Sequence, residues 1–148
     1  MTAGYIQHKT GPGHNDFSDP YPIEYEPAPS GRVKWTGPVV LLTNRSCFSA
    51  ANDFTSVMKQ LPNVTVVGAR TGGGGGLPFS SELPNGWAVR FSACPLLDAS
   101  MQCTEFGIDP DEGCEVHSLE SDLAAGKDAI LDFAINLLKD LPLPEEKE

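Results

Sequence analysis

The chain has 148 residues, of which 20 are acidic and 10 basic, so its formal net charge is −10. A chain this acidic cannot neutralise many phosphates, which argues against nucleic acid as a partner. Hydrophobic residues make up 40% of the sequence, enough to build the core of one domain. No apolar run approaches the roughly 20 residues of a membrane-spanning helix, so we expect no transmembrane segment in this chain.

The four cysteines, Cys47, Cys94, Cys103 and Cys114, show no CxxC pairing, and only three histidines accompany them. A zinc site is therefore not expected, and we predict no metal. Two disulfides are compatible with the sequence and so are four thiols. We favour thiols, because free cysteine packs well in cores.

Residues 1–36 are predicted to be irregular apart from a short strand at residues 3–8. Residues 9–37 are rich in Gly, Pro, Asp and Ser, and repeated prolines interrupt any regular element. An irregular stretch of this length usually carries function or belongs to a larger structure. The first residues contain neither a basic nor an apolar region, so they do not form a signal peptide.

The segment that follows predicts a strand, a helix and a second strand. Residues 38–43 form an apolar run bounded by turn formers, and residues 63–68 form another, as expected of buried parallel strands. Between them, residues 49–61 have helical periodicity, and Ser49 can cap the start of the helix. The recurring apolar positions are Ala50, Phe54, Val57, Met58 and Leu61. Together these elements predict a βαβ unit with a right-handed crossover.

The rest of the chain predicts a glycine loop, a hairpin and a long helix. Residues 72–76 are all glycine, and Asn85-Gly86 lies between two short runs with strand character, a strong hairpin signal. A helix is expected from residue 121 to residue 139, ended by Pro142 and Pro144. We therefore expect one core at residues 37–142 and an acidic tail at residues 143–148.

A serine at the start of the predicted helix suggests acyl-transfer chemistry. A Ser-rich polar loop leaves a strand and runs directly into the helix, and helix N-termini offer unpaired N–H groups to a developing oxyanion. Ser49 could attack a carbonyl while the N–H of Ala50 holds the resulting O⁻. On pattern alone, the favoured interpretation is that Ser49 is an N-cap and nothing more, and only the family resemblance described below reverses this. The glycine run is ambiguous in the same way: it could approach a ligand closely or form a flexible loop, and it lacks the Lys-Ser/Thr of a phosphate-binding loop.

Three blocks of sequence resemble the S41 peptidases, the C-terminal processing or tail-specific proteases. They are GPVVLLTNRSCFSAANDF at residues 37–54, VVGARTGGGGG at residues 66–76 and FGIDPD at residues 106–111. Their order and spacing match over residues 37–142. The resemblance implies an α/β fold with a ClpP/crotonase-like superhelix core, a polypeptide substrate, no cofactor, and Ser49 rather than Ser46 as nucleophile. It also suggests an extracytoplasmic location.

The chain departs from the family pattern at the catalytic base. Many S41 enzymes use a Ser–Lys dyad, and the position of that lysine falls on Gly74. A branch similar to tricorn protease instead uses serine, histidine and glutamate. Glu105 is then the candidate that orients the histidine, although strict alignment falls on Thr104 and a surface role for Glu105 stays open.

The family histidine and the second oxyanion donor belong to a segment that this sequence lacks. His8 and His14 match neither, and His117 follows the third block. We therefore expect a fragment truncated at its N-terminus, with little activity of its own.

Three functional readings follow. The leading one is a serine endopeptidase in which Gly72, Gly73 and Gly74 line the substrate cleft together with the hairpin. The alternative is a non-catalytic peptide-binding module on the same fold, which the missing lysine favours. An acyl-CoA enzyme of the crotonase type would share the fold, but no CoA contacts are evident.

Overall fold

The computed structural model describes residues 1–26, 29, 31 and 34–141, and it shows a mixed α/β architecture. One sheet has four strands in the order β2-β1-β6-β5, all neighbours antiparallel, and a separate pair, β3 and β4, is parallel. The elements are β1 (Thr2–Ile6), β2 (Tyr21–Glu24), β3 (Val39–Thr43), α1 (Ala50–Met58), β4 (Val64–Gly68), β5 (Gly76–Glu82), β6 (Ala88–Leu97), α2 (Glu120–Ala124) and α3 (Ala129–Asp140).

The predicted strand-helix-strand unit is present as β3, α1 and β4. The two strands pair in parallel from Val39 opposite Val64 to Thr43 opposite Gly68, and α3 packs against both. The prediction of two buried strands holds fully only for β4, whose Val66 and Val67 are completely buried. β3 is mostly half-buried, because its only strand partner among the described residues is β4.

The buried face of α1 is polar, contrary to its apolar periodicity. Asn52, Thr55 and Ser56 are buried, whereas 54% of Phe54 is exposed. The periodicity located the helix correctly but not the face that packs inward. Asn52 finds hydrogen-bond partners in two other segments, as described below, and Thr55 donates its hydroxyl to Ala51 O of the same helix. The helix ends at Met58, and hydrogen-bonded turns continue to residue 61.

The hairpin is longer than predicted and closes at the expected turn. β5 and β6 pair from Gly76 opposite Pro95 to Glu82 opposite Ala88. Residues 84–86 form a three-residue loop in which Gly86 takes a positive φ of 82°. Its N–H donates to the Leu83 carbonyl at 2.8 Å, as in a type I turn followed by a left-handed residue.

The absence of regular structure predicted for residues 9–37 is wrong at β2. Residues 21–24 form an edge strand, antiparallel to β1, in which Pro22 lies opposite Tyr5. Proline is tolerated on an edge strand because the missing N–H need not face a second neighbour. The strand expected at residues 3–8 is present as β1. Several residues of the proline-rich stretch lie outside the described part of the chain.

The single C-terminal helix predicted from residue 121 to residue 139 is instead two helices. Gly126 takes a left-handed φ of 74° and ends the first segment. Asp128 then caps α3, and its carboxylate accepts from the N–H groups of Ile130 and Leu131, both at 3.1 Å. α3 ends at Asp140; Pro142 and Pro144 lie outside the described residues.

The four cysteines are free thiols, as the sequence favoured. Within the described ranges, no helix combines the length and the apolar character that crossing a membrane requires. The same part of the chain contains no cluster of three or more His, Cys, Asp or Glu side chains arranged to hold a metal ion.

Candidate active site

Ser49 occupies a strained turn between β3 and α1. Its φ of 57° and ψ of −119° lie in a region that side-chain-bearing residues rarely enter. The only other non-glycine residue with positive φ in the described ranges is Met101. Ser49 sits at the N-cap position, but its side chain makes no capping hydrogen bond, and the residue is exposed. A sharp strand-to-helix turn of this kind presents a hydroxyl to solvent instead of using it to cap the helix.

The first N–H of α1 is free to receive negative charge. The N–H of Ala50 has no intrahelical partner by position, and no described residue accepts a hydrogen bond from it. Other N–H groups of the first turn are already bonded: Ala51 N–H donates to Phe48 O at 3.3 Å, and Asp53 N–H donates to Ser49 O at 3.0 Å. A free N–H directly after an exposed serine is the arrangement that stabilises a tetrahedral oxyanion.

The glycine run binds tightly to the Ser49 turn. Ser49 N–H donates to Gly73 O at 2.8 Å, and Gly72 N–H donates to Cys47 O at 2.9 Å. Gly73 and Gly74 both have φ of 78°, and Gly74 N–H donates to Glu105 O at 3.0 Å. A side chain at Gly73 would collide with that same Glu105 carbonyl. The glycine run therefore packs directly against the backbone of two other segments, the Ser49 turn and Glu105. Only glycine permits backbones to approach so closely.

Gly74, which counting from Ser49 places at the position of the family lysine, lies against the aromatic ring of Phe48. A Cβ atom at Gly74 would lie 2.5 Å from the ring of Phe48, a distance that real Cβ contacts do not show. A lysine at this place would need both a strained φ and a displaced Phe48. The backbone at Gly74, with its positive φ, therefore disfavours a side chain at this position.

Ser49 lies on a groove of about 300 Å³, here called the Ser49 groove. The start of α1, the glycine run and the hairpin all contribute to it. Its lining residues are Phe48, Ser49, Gly74, Gly76, Pro78, Arg90, Phe91 and Ser92. Of the glycines predicted to line a cleft, Gly74 does so, whereas Gly72 and Gly73 support the Ser49 turn from behind.

Glu105 is hydrogen-bonded to Ser92, one of the residues that line the Ser49 groove. Its Oε1 accepts a hydrogen bond from Ser92 Oγ at 3.1 Å, and its side chain is half-buried. Thr104, the strictly aligned alternative, is only 3% exposed, and its hydroxyl donates to Leu96 O at 3.2 Å. Of the two candidates, Glu105 is therefore the one with a side chain next to the groove.

None of the three histidines lines the Ser49 groove. His8 Nδ1 lies 3.6 Å from the Sγ of Cys94, and His117 Nε2 lies 3.0 Å from an oxygen of Glu115. His117 borders a different cavity of about 500 Å³, beside the C-terminal end of β3. His14 is exposed on the N-terminal segment. The described residues thus place a candidate nucleophile without a histidine beside it.

A buried polar network, which the sequence did not reveal, fixes α1 to the two segments behind it. Asn52 is completely buried; its Nδ2 donates to Thr104 O at 3.1 Å, and its Oδ1 accepts from Thr71 Oγ1 at 2.6 Å. The same Thr71 oxygen accepts from Ile108 N–H at 2.6 Å. These bonds join α1, the segment between β4 and the glycine run, and the segment of Glu105. The one available signal was an asparagine three residues after Ser49.

Comparisons with known proteins point to one family. The model of Peptidase family S41 matches residues 3–113, well over half of the chain. A crystal structure of a protein from Parabacteroides merdae, provisionally named a peptidase, is 57% identical with a TM-score of 0.84, covering 93% of this chain and 42% of that one.

More distant solved structures share the fold. Mature CPAF complexed with lactacystin is 22% identical with a TM-score of 0.64, covering 84% of this chain and 24% of its own. The photosystem II D1 C-terminal processing protease is 20% identical with a TM-score of 0.52, covering 78% of this chain and 27% of its own.

Among curated proteins, an uncharacterized protein of Chlamydia muridarum is 34% identical over 82 residues, which is 53% of this chain and 13% of that protein. The chain spans less than half the length of each relative named here. The match to the family model over residues 3–113 nevertheless shows that the chain belongs to peptidase family S41.

Proposed function

We propose that the full-length protein is a serine endopeptidase and that Ser49 is its nucleophile. The observation that carries this proposal is the backbone of Ser49, strained and exposed, with an uncapped hydroxyl on a groove and a free N–H at the next residue. Strain of this kind persists only where the surrounding structure enforces it, and it concentrates at functional sites.

The proposed reaction is acyl transfer. The Ser49 oxygen attacks the carbonyl carbon of the scissile bond while a base takes its proton, and the carbonyl oxygen becomes an oxyanion held by Ala50 N–H. Collapse of this intermediate breaks the C–N bond, and the amine leaves with the proton from the base. Water, deprotonated by the same base, then releases the acyl group and restores the serine.

We propose that the base is a histidine from a part of the protein beyond residues 1–148, oriented by Glu105. Two observations support this assignment: no histidine of the chain lines the groove, and a glycine with a φ of 78° stands at the position that counting from Ser49 assigns to the family lysine. A serine with an ordinary pKa needs such a base to become nucleophilic. In this arrangement the bond from Ser92 to Glu105 holds the carboxylate at the groove until the histidine engages it.

The substrate is proposed to be an extended polypeptide bound between Gly74 and the β5–β6 hairpin. β5 lies at the end of its sheet, and an extended chain can add to such an edge through main-chain hydrogen bonds.

We further propose that residues 37–142 belong to a ClpP/crotonase-like superhelix core, with residues 1–36 leading into it and residues 143–148 as a tail. An extracytoplasmic location is proposed in addition, supported by the similarity to a lipoprotein from Streptococcus agalactiae with a TM-score of 0.62.

The second candidate function is a peptide-binding module without catalysis. Phe48 over Gly74 supports it, because the groove could bind a peptide and never acquire a base. A fluorophosphonate probe separates the two functions, since it labels only an activated serine. We expect the full-length protein to be labelled, the Ser49→Ala variant to stay unlabelled, and the matched Ser46→Ala variant to be labelled normally. Absence of labelling in the unaltered protein would favour the binding module.

The chain of residues 1–148 alone is proposed to be a poor peptidase, because it supplies the nucleophile and one oxyanion donor without a base. We expect turnover of peptide substrates near background. Robust turnover that disappears in the Ser49→Ala variant would refute the assignment of the base to another segment.

A further inference from the structure

The cation in the Ser49 groove has no partner in the described residues. Arg90 lies in the middle of β6, is exposed, and takes part in no hydrogen bond or ion pair that the structure shows. Other cations are engaged: Lys59 pairs with Asp111 at 3.1 Å, and Arg70 with Asp109 at 3.5 Å. An unpaired guanidinium in a groove is an available site for a carboxylate, which it can bind through two parallel hydrogen bonds.

The position of Arg90 relative to the serine follows from strand geometry. Side chains two apart on a strand share a face, so Arg90 and Ser92 project together, and both line the groove with Ser49. Ser92 is the residue that contacts Glu105. Arg90 is therefore the cation of the groove that contains Ser49, and the Glu105 carboxylate is bound to Ser92 beside it.

Arg90 is the one charged residue among the lining residues of the groove, so a carboxylate that enters the groove meets a cation there. Phe48 and Pro78 supply the apolar surroundings in which a pair of opposite charges is less screened than on open surface.

We propose, on the basis of the proposed peptidase function, that the Ser49 groove selects polypeptides carrying an aspartate or glutamate side chain that pairs with Arg90. The carboxylate comes from a side chain and not from the end of the peptide, because β5 offers a seven-residue free edge along which the chain continues past Arg90. Arg90 is thus a specificity-determining residue of the groove.

Binding to a catalytically silenced protein tests this inference separately from catalysis. The full-length Ser49→Ala variant is titrated by fluorescence anisotropy against fluorescein-labelled random peptide pools whose central residue is fixed as Asp, Asn or Lys. We expect the Asp pool to bind about three- to tenfold more tightly than the Asn pool, the range of a partly exposed charge pair. Adding Arg90→Glu should reverse the order of the Asp and Lys pools, and the matched charge reversal Arg45→Glu, outside the groove, should leave it unchanged.

Two further arms separate the possible failures. Amidation of the peptide C-terminus should leave the affinity of the Asp pool unchanged; if amidation instead weakens all pools alike, the carboxylate at Arg90 is the chain end and the proposal is overturned. Equal affinity of all pools, or an order that Arg90→Glu does not change, overturns it as well. Fluorophosphonate labelling of the full-length protein with Ser49 and Arg90 intact tests the nucleophile separately. Labelling without an Asp preference overturns this inference alone, whereas absence of labelling overturns the proposed nucleophile.

Discussion

The strain at Ser49 predicts that a glycine there stabilises the fold. A residue with a side chain in this region of φ and ψ costs about 1–3 kcal/mol. Glycine removes that cost but loses about 0.4–1 kcal/mol through the greater freedom of the unfolded chain. We therefore expect Ser49→Gly to raise the free energy of unfolding by about 1 kcal/mol. Ser49→Ala keeps the Cβ atom and removes a hydroxyl that caps nothing, so it should change stability by less than about 0.5 kcal/mol.

Urea unfolding followed by far-UV circular dichroism measures these differences. The matched control is Ser46→Gly, three residues earlier in the same exposed loop, where φ is not positive. There the glycine brings only its entropic cost, and we expect a loss of about 0.5–1 kcal/mol. The slope of free energy against urea concentration should be the same in all variants, which shows that the denatured state is unchanged.

The result that would refute this reasoning is a Ser49→Gly variant that is destabilised as much as Ser46→Gly. The backbone at Ser49 would then not be strained, and the principal support for a nucleophile at this position would be lost. A stabilised Ser49→Gly variant of the full-length protein that no longer reacts with fluorophosphonate would instead show that stability has been given up there for reactivity.

Three further predictions concern the residues around the turn. Asn52→Ala should lower the free energy of unfolding, measured in urea, by about 3 kcal/mol, because it leaves the buried partners of Asn52 unsatisfied. Thr55→Val, on the same buried face, loses only a bond to Ala51 O and should lower it by less than about 1 kcal/mol. Equal losses in the two variants would contradict the network. Burial raises the pKa of Asp53 above its ordinary 3.8, with the Asn52 side chain acting less strongly in the opposite direction. The folded protein disfavours the ionised form of Asp53. The free energy of unfolding should therefore fall as the pH rises from 3.8 through the raised pKa of Asp53 in the folded state. Asp53→Asn should therefore stabilise the fold more near pH 7 than near pH 3 in paired urea titrations, and a pH-independent difference would contradict it. Finally, Gly74→Lys should strongly destabilise the fold, and adding Phe48→Ala should relieve part of that loss. A double-mutant cycle should then give a coupling free energy of about 1 kcal/mol or more between the two positions. Additive losses would show that the ring does not oppose the lysine.

The elements that could be predicted are those with a local cause. The apolar runs gave β3 and β4, the helical periodicity gave α1, and the Asn85-Gly86 pair gave the hairpin, each within a few residues. Proline density misled at β2, because an edge position depends on which strand lies beside it, a tertiary fact. The C-terminal helix was split by Gly126 and Asp128, both visible in the sequence, but helical periodicity continues across them and outweighed the local signals.

The site could be predicted only in part for a similar reason. The position of Ser49 at a strand-to-helix junction followed from local pattern and from the family resemblance, and Gly74 followed from alignment. That Phe48 fills the space beside Gly74, and that Ser92 connects Glu105 to the groove, required long-range packing. No periodicity indicates that Asn52 will be fully buried, because an amide can be buried only where distant segments supply its partners.

The strained turn at Ser49 and the buried network around Asn52 are held by neighbouring contacts. The turn at Ser49 is held from outside by the Gly73 carbonyl and from inside by Asn52, which ties the first turns of α1 to Thr71 and Thr104. Both anchors meet the same short stretch of backbone, because Gly73 and Gly74 cross directly over the main chain of Glu105. A larger residue in the glycine run would separate the two segments and release the turn. The backbone at position 49 therefore depends on Asn52, which explains why α1 buries an asparagine; the buried Thr55 bonds only within its own helix, to Ala51 O.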